Sequence, residues 1–231
     1  MEHLLLLHGA IGAKDQLQPL AEQLAGKYKV HTIDFAGHGG STIPEKIFSI
    51  PFFATQVLTF LEENNIDSTN VFGYSMGGYV AIYLAKNNPS KIIKCITLAT
   101  KYYWDENVAA KETKKLDPAI IQQKIPAFAA QLKQRHAPQD WEMVLKKTAE
   151  LLKNLGKNNA LQLQDYAEIN KPVLLLIGDR DKMITLEETL AVFNQLPNAE
   201  MAMLPGTPHP IEQVDISMLT FLINKFLLKL S

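Results

Sequence analysis

A single cysteine, Cys95, stands among 231 residues, so neither an intramolecular disulfide framework nor a cysteine zinc cluster can form. It lies in the apolar run Ile92-Ile93-Lys94-Cys95-Ile96-Thr97-Leu98, which reads as a buried strand with the thiol acting as a small hydrophobe. An excess of one charge is also missing. The 23 basic and 24 acidic residues leave a formal net charge of −1, which provides no electrostatic pull toward nucleic acid or an anionic membrane. Long apolar runs are lacking too: Leu4-Leu5-Leu6-Leu7 is too short to span a bilayer, and no basic n-region precedes it. The expectation is a cytoplasmic protein without nucleic acid as a partner and without integral membrane association. No spacing among His3, His31 and His136 points to metal ligation.

What is present is ordinary globular material, 47% hydrophobic and 20% charged. A chain of this length buries roughly 70% of the surface exposed by its unfolded state. Short apolar runs read as buried strands: Leu4 to Leu7, Val30 to Ile33, Asn70 to Gly73, Ile92 to Ala99, Val173 to Ile177 and Glu200 to Leu204. Amphipathic stretches read as helices around Gln16 to Ala25, Pro51 to Asn64, Met76 to Asn87, Leu186 to Leu196 and Ile211 to Leu230. Strand alternating with helix implies parallel βαβ units with helices on both faces of one sheet.

The alternation breaks between residues 101 and 165, a stretch too long for a plain connection. Asp117-Pro118 has the form of an N-cap followed by proline at the first helical position. Pro126 predicts a kink, Trp141 to Leu155 is amphipathic, and Gly156 predicts a terminus. The division expected is a core of residues 1–100 and 166–231 with a helical cap inserted at 101–165.

The strongest chemical signal is Val71-Phe72-Gly73-Tyr74-Ser75-Met76-Gly77-Gly78. A strand meets a helix through a turn with serine at its tip and glycine two residues to either side. Such a turn strains the serine backbone and leaves no room for Cβ atoms beside it. It exposes the hydroxyl above the strand, next to the unpaired N–H groups of a helix start.

A serine hydroxyl needs a base, and the base needs an orienting acid. Two carboxylates, Asp179 and Asp181, follow the strand ending at Ile177, and His209 follows the strand ending at Leu204. Both segments sit at strand C-terminal ends, where open α/β sheets place ligands. Pro210 biases His209 toward an extended backbone and offers a first position for the last helix.

These segments, with Leu7-His8-Gly9-Ala10 and Ile33-Asp34-Phe35-Ala36-Gly37-His38-Gly39-Gly40-Ser41, resemble the α/β-hydrolase superfamily along nearly the whole core. The resemblance implies an α/β-hydrolase fold with about six parallel strands, because the chain starts at the strand carrying His8-Gly9, where the fuller pattern has two earlier strands. It maps the orienting acid to Asp181, with Asp179 the adjacent alternative. Oxyanion-hole N–H groups map to Met76 and Ala10, with Ile11 as substitute for the latter. His8, His38 and Asp34 map to supporting loops. One departure is Gly206-Thr207-Pro208 before His209, where many relatives carry a second glycine.

The function implied is hydrolysis of small apolar acyl esters by Ser75, His209 and Asp181 through an acyl-enzyme, with no metal or organic cofactor. Aromatic residues Tyr102, Tyr103, Trp104, Phe128 and Trp141, with Ile11 and Tyr74, are pocket candidates; the cap aromatics are equally candidates for packing within the cap. Alternatives are a thioesterase, a C–C hydrolase or lyase of the same fold, or a weakly catalytic ligand sensor. Haloalkane and epoxide chemistry is disfavoured, since those relatives carry aspartate in place of Ser75.

Overall fold

A computed structural model describes residues 1–229. Among these residues a six-stranded, wholly parallel sheet runs in the order β2-β1-β3-β4-β5-β6. The strands are β1 (His3–Leu7), β2 (Lys29–Ile33), β3 (Thr69–Tyr74), β4 (Ile92–Leu98), β5 (Val173–Gly178) and β6 (Ala199–Leu204). Each of the six apolar runs therefore became a strand, within a residue or so of its expected ends.

Alternate side chains along these strands serve two cores. Leu5, Leu7, Val71, Cys95 and Val173 face one side, with α2 (Ile50–Glu63) and α3 (Met76–Asn87) packed over them. Leu4, Leu6, Phe72, Ile96 and Leu174 face the other, covered by α1 (Gln18–Leu24) and α9 (Ile216–Leu227). Burial on both faces explains why the strands read as unbroken apolar runs instead of alternating ones. Cys95 is buried with a free thiol, and burial pushes its pKa up.

Lys94 is the exception on β4. Its ammonium is buried and donates to the carbonyl oxygens of Phe226 (3.5 Å), Leu227 (3.0 Å) and Lys229 (2.6 Å). A cation placed on helix C-terminal carbonyls satisfies both partners at once.

Between β4 and β5 come α4 (Glu106–Thr113), α5 (Pro118–Lys124), α6 (Pro126–His136) and α7 (Trp141–Lys157), and α8 (Leu186–Phe193) joins β5 to β6. Asp117 caps α5 as expected, its carboxylate accepting from Ala119 and Ile120. Pro126 begins a new helix instead of kinking an existing one. Gly156 does not end α7, which continues to Lys157. A Cβ there would lie 2.6 Å from the Cβ of Ala109 and 2.8 Å from the Asp105 carbonyl oxygen, so the glycine permits α4 to press against α7.

The last helix starts later than its periodicity implied. Pro210 precedes a short 3-10 turn at Ile211–Gln213, and α9 begins at Ile216 under an Asp215 cap. The expected far end of that helix, Leu230, lies outside the described residues.

Candidate active site

The turn after β3 has the strained form that its glycines foretold. Ser75 adopts φ 52° and ψ −116°, a region that side-chain-bearing residues rarely occupy. A Cβ on Gly73 would collide with the Gly77 carbonyl, and one on Gly77 would lie 2.5 Å from the carbonyl oxygen of His8. The β1 loop thus reaches the turn, with the Gly9 backbone against Ser75: a Cβ on Gly9 would stand 3.2 Å from that of Ser75.

His209 Nε2 lies 3.3 Å from Ser75 Oγ. On its other side the ring's Nδ1 is 2.7 Å from Asp181 Oδ2. The second Asp181 oxygen accepts from the N–H groups of Met183 (2.8 Å) and Ile184 (3.0 Å). Burial alone would raise the Asp181 pKa, but the His209 partner and these two N–H groups outweigh it and leave it below the ordinary carboxylate value. Asp179 points elsewhere, accepting from Thr207 N–H at 3.1 Å. It braces the Gly206-Thr207-Pro208 segment before His209.

These groups open into a cavity of about 950 Å³. Ser75, Met76, Ala10, Ile11, Tyr74 and His209 line its core side. Trp104, Phe128, Leu151, Leu152 and Leu155 line it from the segment between β4 and β5. A polar stretch of the wall contains Arg135, which contacts Glu212 at 3.3 Å, while Glu212 also accepts from Gln16 at 2.6 Å. Among the described residues no group of three His, Cys, Asp or Glu side chains is arranged to hold a metal ion. No helix there is long and apolar enough to cross a membrane.

A sequence profile described as the α/β hydrolase fold matches residues 2–149. The chain belongs to the α/β-hydrolase fold family. Lipase 3 of Moraxella sp. is 25% identical over 226 residues, covering 90% of this chain and 71% of that one. A pimeloyl-[acyl-carrier protein] methyl ester esterase of Aeromonas salmonicida is 34% identical over 98 residues, 42% of this chain and 37% of the relative. Among solved structures, the enol-lactonase from Burkholderia xenovorans superposes with a TM-score of 0.80 at 18% identity, covering 99% of this chain and 92% of that one.

Three of the aromatic residues expected in the pocket of this α/β-hydrolase chain lie away from the cavity. Tyr102 is buried with its hydroxyl 2.6 Å from Thr97 Oγ1. Tyr103 is exposed and donates to Asp105 at 3.2 Å. Trp141 packs with Ile121, Ala129, Leu132 and Leu145 inside the helical segment. Conversely, Ile50, Tyr79, Leu151 and Leu155 line the cavity although their periodicity reads only as core. The face that α7 buries, Val144, Leu145, Thr148, Leu151 and Leu155, is continuous, and only its C-terminal half passes over the cavity. Periodicity marks the face without marking that division.

The loop histidines pack as the resemblance implied. His8 Nδ1 donates to the Gly9 carbonyl at 2.8 Å and Nε2 accepts from Phe35 N–H at 3.1 Å. Asp34 accepts from Lys14 N–H at 2.8 Å. His136, which sequence spacing left without a role, lies buried where the helical segment meets both of these loops.

Proposed function

We propose that this chain is a serine hydrolase acting on carboxylic esters with small apolar acyl groups, with Ser75, His209 and Asp181 as its catalytic residues. The observation that carries the reading is the unbroken hydrogen-bond line from Ser75 through His209 to Asp181, opening on a cavity whose wall is apolar along Trp104, Phe128, Leu151 and Leu155 and polar around Arg135 and Glu212. Family membership and relatives named as lipase and ester esterase support it.

The mechanism follows from the groups present. Ser75 Oγ attacks the ester carbonyl carbon as its proton passes to His209 Nε2. Asp181 holds the Nδ1–H tautomer and stabilises the imidazolium. The negative oxygen of the tetrahedral intermediate is met by the backbone N–H groups of Met76 and Ala10; loss of one such donor typically costs about 10²–10³ in rate. Collapse expels the alcohol, which takes the proton from His209. Water then attacks the acyl-enzyme with His209 again as base, releasing the acid and Ser75.

The residues between 101 and 165 act as a cap in this reading. Trp104, Phe128, Leu151 and Leu155 shelter the acyl group, at about 0.8 kcal/mol for each methylene buried.

The test is hydrolysis of nitrophenyl esters of increasing acyl length together with labelling by a fluorophosphonate. Wild type is expected to turn over and to label once, at Ser75, with Ser75→Ala and His209→Ala inactive. A folded protein that neither labels nor turns over would overturn the reading.

A further inference from the structure

His136 closes α6, and its imidazole is buried between two loops of the core. Nε2 lies 3.1 Å from the Ile11 carbonyl oxygen, and Nδ1 lies 3.2 Å from the Gly39 backbone nitrogen. A carbonyl only accepts and an amide N–H only donates. The ring is therefore neutral, with its proton on Nε2 directed at Ile11.

Ile11 is an unusual residue to find at that end of the bond. The Gly12 N–H donates to the Gly9 carbonyl at 3.1 Å, closing a four-residue turn over Gly9-Ala10-Ile11-Gly12. Its third position has φ 53°, a conformation that glycine adopts freely and a β-branched residue resists. Backbone held this way persists only where its surroundings impose it. Here the surroundings come from the helical segment. The Ile11 side chain packs against its buried cluster of Ile121, Leu132 and Trp141, and the Ile11 carbonyl is held by His136. The same corner is fixed from below, since a Cβ on Gly40 would stand 2.6 Å from the Ala137 carbonyl oxygen.

We propose that His136 is a positioning residue for the oxyanion hole, holding the Ala10–Ile11 turn in its strained form from the helical segment across the cavity. The inference rests on the serine-hydrolase reading above. Relaxing Ile11 to negative φ would turn over the Ala10–Ile11 peptide, reversing the Ile11 N–H, and would pull the adjoining Ala10 backbone, whose N–H sits in the preceding peptide, from its place at the developing oxyanion. Misplacement by about 1 Å at a reacting centre can cost roughly 10²-fold in rate. Substrate binding by the apolar cavity wall would be little changed. The signature is a loss in kcat without a matching rise in KM.

The experiment compares His136→Leu, His136→Asn and His136→Gln with wild type on one nitrophenyl ester. Active sites are titrated to completion with a fluorophosphonate, so each rate is expressed per labelled Ser75 and unfolded protein does not count. Leucine keeps the bulk and removes both bonds. Asparagine retains an acceptor near the place of Nδ1, and glutamine retains a donor near the place of Nε2. The expected result is a kcat about 10–100-fold lower for His136→Leu and His136→Asn, with KM within about threefold and most of the rate recovered in His136→Gln. Affinity for a boronic acid, which presents a tetrahedral oxyanion, should fall by the same factor as kcat/KM.

A His136→Leu rate per labelled site equal to wild type overturns the proposal while leaving the hydrolase reading intact. So does a His136→Gln rate as low as that of His136→Leu. A wild type that neither labels nor turns over overturns both.

Discussion

The Tyr74 hydroxyl donates to the His209 carbonyl oxygen at 3.0 Å, joining the residue before the strained serine to the backbone of the histidine that faces it. The two rings stand 5.6 Å apart, centroid to centroid. The loop after β6 is thereby tied to the turn after β3 by a bond that bypasses the reacting atoms. Removing it in Tyr74→Phe should cost about 1 kcal/mol of stability. The looser His209 backbone should lower kcat/KM by roughly 3–10-fold. Urea unfolding and ester kinetics on the same preparation check both effects.

The two neighbouring aspartates should separate cleanly. Asp181→Asn places an amide where Nδ1–H needs an acceptor and favours the wrong tautomer, so kcat should fall by about 10⁴-fold. Asp179→Asn keeps an oxygen for the Thr207 N–H and should stay within about twofold. Side-by-side kcat values decide the matter, and an inactive Asp179→Asn beside an active Asp181→Asn would reverse the assignment.

Gly156→Ala tests the contact between α4 and α7. Helix propensity alone predicts a gain of about 1 kcal/mol. The added methyl would meet Ala109 Cβ at 2.6 Å, and overpacking of this kind costs about 1–3 kcal/mol. A net loss is expected in urea unfolding, relieved in part when Ala109→Gly is added, since the Asp105 carbonyl oxygen still stands 2.8 Å from the new methyl. A single variant more stable than wild type would mean that α4 shifts aside freely.

Acid should destabilise the fold well before its carboxylates titrate. Burial lowers the pKa of His8 from 6.5 to about 4, and it likewise lowers those of His38 and His136. Their folded values lie below the unfolded value, so the unfolded chain takes up protons first as pH falls. Stability present above pH 6.5 is lost progressively beneath it, for His8 by ~2 kcal/mol between pH 6.5 and 5. The Asp181 contribution has its own window, lost only as pH falls below 3.8. Urea midpoints measured from pH 7.5 to 5 should fall steadily, and a flat series would contradict this.

Where the sequence spoke plainly, one physical cause acted alone. Burial on both faces writes an apolar run, and the sheet followed from six of them. The constraint on Ser75 demands flanking glycines, and Met76 to Asn87 was helical over its full expected length. Where two causes share a residue type, the sequence was mute. Gly156 reads as a terminus or a close approach, and only the position of Ala109 distinguishes them. Trp104 and Trp141 read alike, yet one faces the cavity and the other faces its own helical cluster. The choice between Asp179 and Asp181 depended on which way each carboxylate turned. His136 offered no signal because its partners are backbone atoms, at Ile11 and Gly39, which carry no side-chain signature.

The buried Lys94 ammonium ties the completion of β4's surroundings to the last residues of the chain. Its three acceptors lie 132 to 135 residues further along the chain. A nascent chain that has produced β1 to β4 holds a cation that no apolar interior can accept, and a sheet face for which α9 does not yet exist. Contacts of such sequence separation form late and slowly, leaving apolar surface open to association in the meantime. Truncation before residue 226 would make that unfinished state permanent, so a shortened chain should be recovered from cells as aggregate, whereas an extension beyond the described residues leaves the lysine's partners in place.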